Sequence, residues 1–184
     1  MAEALVVIDI QNEYFPGGAL PLPDAEDAAG RAADAIEAAR AAGIPVIHIR
    51  HEEPASDQFF VPGSRGAETN DTVAPAEGEA VIVKNYPNSF LQTDLSERLE
   101  NSDAKRVAFC GMMTSMCVDA TVRAAADLGL EPVLIDDACA APDLEHRGRQ
   151  VPADAVHAAF CAALGDEIAT VLGTADFSAG PADA

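Results

Sequence analysis

Six short runs dominate the chain: Ala4–Ile8, Pro45–Ile49, Ala80–Val83, Arg106–Cys110, Pro132–Ile135 and Ile168–Leu172. Each has strand length, too short for a buried helix, and Ala4–Ile8 is apolar at every position, the pattern of a strand covered on both faces. Helical segments separate most of them. Asp24 stands at an N-cap position before an alanine-rich segment, Ala25–Ala42, which Gly43 ends. Its small residues Ala29, Ala32, Ala33, Ile36 and Ala39 allow close approach to a sheet. Thr93 caps a short helix through Leu99, Gly111–Met116 is a tight connection into a helix over Cys117–Leu128 closed by Gly129, and Ala153–Leu164 forms the last. Strands alternating with helices predict a six-stranded, largely parallel sheet covered on both faces, with the functional site at the carboxyl ends of its strands.

With 184 residues and no repeat or linker, residues 1–177 are expected to form a single domain, and 178–184 a short tail. The turn-rich stretch Glu52–Glu79 is long for a connection inside a compact domain, and such loops usually carry function. Thirty-one acidic against eleven basic residues give a net charge of −20, a surface that repels nucleic-acid phosphates and anionic lipid. No apolar stretch approaches bilayer length, and no leader-like segment precedes the first strand, so a cytoplasmic protein is expected. Cys110, Cys117, Cys139 and Cys161 lack CxxC spacing and read as free thiols.

Three reactive side chains fall at the predicted strand ends: Asp9 after the first, Lys84 after the third and Cys117 beyond the fourth. Singly, an Asp there is a turn or capping residue, a Lys a solvated charge and a Cys a small buried hydrophobe. Lys84 is one of two lysines beside nine arginines, and Cys117 is predicted in the first turn of a helix, where the dipole lowers a thiol pKa. Together they could form a nucleophilic unit: Cys117 as nucleophile, Lys84 favouring its thiolate, Asp9 moving the proton.

These residues also carry a resemblance. Leu5-Val-Val-Ile-Asp9-Ile-Gln-Asn-Glu-Tyr-Phe with Gly17-Gly18, then Lys84 with Asn88-Ser89-Phe90 and Thr93-Asp-Leu, then Cys110-Gly-Met-Met-Thr-Ser-Met-Cys117-Val-Asp-Ala-Thr121 and Asp136-Asp-Ala-Cys139 are similar to the motifs of the isochorismatase-like cysteine hydrolases, in the family's order. The resemblance spans Leu5 to about Val171. It implies a three-layer α/β/α fold, the triad Asp9, Lys84 and Cys117, and a cis peptide between Met112 and Met113 that presents the Met113 N–H, with that of Cys117, as an oxyanion hole. It places Tyr14, Leu20 and Phe90 around the substrate, with Phe59 or Phe60 from the long loop, of which Phe60 is favoured here, and it implies a homo-oligomer.

The chain departs from the metal-dependent nicotinamidases of that family. His48 and His51 lie three apart on a strand and face opposite sides, so they do not share an ion, and no metal or other cofactor is expected. Arg65 in the long loop is read as a solvated residue that could instead meet a substrate carboxylate. The expected function is cleavage of a C–N bond in a small amide, ureide or similar carboxamide through a thioester on Cys117. Vinyl-ether hydrolysis of the isochorismatase type is the alternative, and a non-catalytic interaction protein of the same fold a further one.

Overall fold

The computed structural model describes residues 2–179. β1 (Ala4–Ile8), β2 (Val46–His51), β3 (Ala80–Lys84), β4 (Arg106–Met112), β5 (Glu131–Ala140) and, after the exposed hairpin β6 (Leu144–His146) and β7 (Arg149–Val151), β8 (Thr170–Leu172) are the strands. The main sheet has the order β3-β2-β1-β4-β5-β8, and every pairing in it is parallel. The helices are α1 (Ala25–Ala41), α2 (Leu95–Asn101), α3 (Asp119–Asp127), α4 (Ala153–Glu167) and α5 (Thr174–Ala179). α1 packs with α5, α3 packs with α4, and both pairs reach β5, so the sheet is the middle of three layers.

β1 lies between β2 and β4, and all five of its residues are buried, as a continuous apolar run requires in that place. α1 buries Ala25, Ala28, Ala29, Ala32, Ala35, Ile36 and Ala39, a stripe at helical spacing whose small side chains let the helix lie close on the sheet. Ala33 falls at the margin of this stripe and is only half-buried.

Several boundaries differ from the sequence expectation. Asp24 takes the N-cap position of α1 in a left-handed conformation (φ 59°) and makes no side-chain cap bond. Asp94, rather than Thr93, precedes α2 directly, while the Thr93 hydroxyl donates to Ser89 O. The helix expected from Cys117 starts instead as a π-helical turn over Thr114–Val118 and becomes α only at Asp119. Ser178 and Ala179, expected in a tail, close α5, and the rest of that tail, 180–184, lies outside the described residues. No helix among the described residues is long and apolar enough to cross a membrane.

Candidate active site

The carboxyl ends of β1, β2, β3 and β4 converge. Ile8 at the end of β1 pairs with Ile49 of β2 and Gly111 of β4, and His51 at the end of β2 pairs with Lys84 at the end of β3. Asp9 follows β1 with φ 51°, a left-handed conformation that Asp tolerates better than most residues, and its N–H donates to Ile49 O (3.0 Å). That turn sends the carboxylate into the sheet edge, where it is fully buried.

Three irregularities aim Cys117 at it. The register between β4 and β5 shifts between Phe109 and Gly111, a bulge that bends the strand end. Gly111 follows at φ 128°, so close to β1 that any Cβ would collide with Ile8 O. The Met112–Met113 peptide is cis, and Met113 O then accepts from the N–H groups of Met116 (3.0 Å) and Val118 (3.2 Å), closing the π-helical turn around Cys117. From α4, His157 Nδ1 meets the hydroxyl of buried Thr114 at 3.0 Å and braces the start of the turn. Ser89, in the loop after Lys84, bonds Thr121 of α3 through both its N–H (3.0 Å) and its hydroxyl (2.8 Å), which ties the loop behind Lys84 to the helix behind Cys117.

Lys84 occupies the centre. Its side chain is fully buried, with Nζ 2.6 Å from Asp9 Oδ2, 3.2 Å from Cys117 Sγ and 3.1 Å from His51 Nδ1. A charge out of water is tolerated only with such partners. Burial pulls the ammonium down, and Asp9 and Cys117 outweigh it, so Lys84 stays above its usual value and charged. The contact with Asp9 is the shortest of the three, an ion pair between two fully buried groups.

The expectation of a lowered Cys117 pKa is corrected. Burial, reinforced by the Asp9 charge, pushes the Cys117 thiol up to about 12 against the opposing pull of Lys84. The resting residue is a thiol, and its proton must leave as the reaction begins. Cys110, Cys139 and Cys161 are raised as well, by burial first, but Cys117 is the one of the four with an ammonium on its sulfur.

His51 is the member that sequence reasoning missed. His48 and His51 do face opposite sides: His48 Nε2 meets Glu79 at 3.0 Å, whereas His51 faces Lys84. Asp9, His51 and Cys117 each bring a donor atom within 4.8 Å of the others, a spacing that could hold a cation, and the Lys84 ammonium already lies among them.

Tyr14 and Phe60 are buried beside this group, with ring centroids 5.2 Å apart, and Phe60 stands edge-on to His51 at 5.4 Å. Burial, then the charge of Asp9, holds the Tyr14 phenol well above its usual value and neutral. Phe60 has φ 50° and is pinned through its N–H, which donates to the buried Glu13 carboxylate (3.2 Å). Glu13 also accepts from Ala19 N–H (2.8 Å) and thus clasps both loops that flank the site. Phe90 is half-buried against the core, and Leu20 is 36% exposed. Arg65 is exposed on a groove of about 860 Å³ on the outer side of Glu13, which none of Asp9, Lys84 and Cys117 lines.

The chain is similar to known proteins over nearly its whole length. The isochorismatase domain family matches residues 3–176. The isochorismatase family protein YddQ of Bacillus subtilis (strain 168) is 46% identical over 178 residues, 96% of this chain and 99% of that one. A streptothricin hydrolase of Streptomyces noursei is 34% identical, over 92% of this chain and 62% of its own. A crystal structure of an isochorismatase hydrolase from Oleispira antarctica superposes with a TM-score of 0.94 at 45% identity, covering 97% of each chain.

Proposed function

The chain belongs to the isochorismatase family of hydrolases, and we propose that it cleaves the C–N bond of a small amide, ureide or similar carboxamide through a thioester on Cys117. One observation carries this reading: a buried ammonium joins the Cys117 sulfur, at 3.2 Å, to the Asp9 carboxylate, at 2.6 Å. Protonation of a vinyl ether needs an acid alone, whereas a thiol held beside a carboxylate base is equipment for acyl transfer. The streptothricin hydrolase among its relatives supports a hydrolytic role on a small molecule.

In the proposed cycle, Asp9 takes the Cys117 proton as the sulfur attacks the substrate carbonyl carbon, and Lys84 stabilises the thiolate as it forms. The carbonyl electron pair moves to oxygen, where the N–H groups of Met113 and Cys117 receive it. Collapse breaks the C–N bond, and Asp9 returns the proton to the departing nitrogen. Water then gives a proton to Asp9 and attacks the thioester, and the thiolate leaves and is reprotonated. Tyr14 and Phe60, and with them Leu20 and Phe90, are proposed to wall the substrate. The cycle draws on side chains and backbone of this chain alone.

Rapid acid quench followed by intact-mass analysis, on a panel of small carboxamides and ureides, tests the reading. One acyl adduct on the Cys117 peptide is expected, and Cys117→Ala should lower the hydrolysis rate by a factor of about 10³ or more while remaining folded. A fully active Cys117→Ala protein would transfer the chemistry to Asp9 and to ether cleavage.

A further inference from the structure

We propose that His51 is a positioning residue for the nucleophile: its Nδ1 accepts an N–H of the Lys84 ammonium and thereby keeps that ammonium on the Cys117 sulfur. The proposal rests on Cys117 being the nucleophile, but its test uses no substrate, so the two readings can fail separately.

The Lys84 side chain has no contact with solvent, so each of its N–H groups must find an acceptor inside the protein. Its three N–H groups have three partners, His51 Nδ1 at 3.1 Å, Cys117 Sγ at 3.2 Å and the ion-paired Asp9 Oδ2 at 2.6 Å. Without the imidazole, one N–H would lose its acceptor, and the ammonium would be free to swing toward Asp9 and away from the sulfur.

The protein is built to keep this ring in place. His51 and Lys84 are register partners at the ends of adjacent parallel strands, so their side chains leave the sheet on the same side. One buried side chain, Gln11, clamps the His51 backbone at both atoms, donating to its carbonyl and accepting from its N–H at 2.8 Å each. The edge-on Phe60 ring braces the imidazole from the long loop. Because an ammonium can only donate, His51 Nδ1 must carry a lone pair, and the ring proton sits on Nε2. Lys84 from β3, Asp9 from the end of β1, Cys117 from the π-helical turn and Glu53 from its own loop are the ionisable groups around it. Burial, followed by the Lys84 charge, holds the ring below its usual value and neutral.

The test is the rate of Cys117 alkylation by iodoacetamide, read by peptide mass, in the unmodified protein, His51→Leu and His51→Asn. His51→Leu should slow alkylation about tenfold near neutral pH, equivalent to a thiol pKa about one unit higher. His51→Asn, whose amide oxygen can reach about the place of Nδ1, should stay within about twofold of the unmodified protein. Equal rates for His51→Leu and the unmodified protein would overturn the proposal, as would a folded His51→Asn slowed as far as His51→Leu. Ring ¹⁵N shifts of the unmodified protein give a reading that needs no variant: a bare Nδ1 with a protonated Nε2 is expected, and an Nδ1–H overturns the assignment.

Discussion

Lys84 carries the one buried positive charge against which both Asp9 and the forming thiolate are balanced. Lys84→Met removes it and leaves a buried carboxylate uncompensated, so a stability loss of about 3 kcal/mol at neutral pH is expected. The Cys117 thiol should rise further, and alkylation near neutral pH should slow by about tenfold or more. Urea unfolding and the alkylation rate measure the two effects independently, and an unchanged rate would remove Lys84 from the mechanism. Asp9, Lys84 and Cys117 were legible in the sequence because each stands at or near the end of an apolar run. His51 was not, because its place depends on the β2–β3 register, and β2 was read as ending at Ile49 when it continues to His51. The direction of the Cys117 shift is not legible either, because the burial that raises the thiol against the pull of Lys84 arises only from packing.

At the scale of elements, the turn that presents Cys117 depends on how closely β4 can approach β1. Gly111→Ala would drive a methyl into Ile8 O at a backbone conformation that L-residues rarely adopt. A loss of about 3 kcal/mol or more is expected, measurable by denaturant unfolding, with Cys117 alkylation altered even where the variant still folds. The six strands of the main sheet, their parallel pairing and helices α1 to α4 follow from the pattern of apolar runs. The length of β5 does not, because Asp136-Asp137 resembles a loop. The structure keeps this pair in the strand by giving Asp137 work elsewhere, as its carboxylate accepts from the N–H (2.8 Å) and hydroxyl (2.7 Å) of Thr174 at the start of α5. The hairpin of β6 and β7 is largely exposed and polar, so it leaves no hydrophobic periodicity to read.

Across the whole molecule, an excess of acidic groups makes each well-placed cation count, and Glu79 shows how. It joins Arg40 of α1 (2.7 Å) and His48 of β2 (3.0 Å), and accepts from Ala76 N–H (2.7 Å). Its hydrogen bond to Arg40, against the cost of burial, lowers the carboxyl to about 2. Because the folded value lies below the unfolded one, this stabilisation is full above about pH 5 and fades as pH falls toward 2. Glu79→Gln should therefore lower the melting temperature at neutral pH, and melts recorded from about pH 7 down to about pH 3 should show the gap to the unmodified protein holding to about pH 5 and narrowing below it. The sheet order has a bearing on durability as well. β3 pairs only with β2, its Val81 and Val83 are 42% and 40% exposed, and yet it holds the ammonium on which the chemistry turns. Local opening of a margin costs less than global unfolding. Fraying of this single strand would withdraw Lys84 while β1, β4 and β5 stay intact, so the protein can fall silent well before it melts.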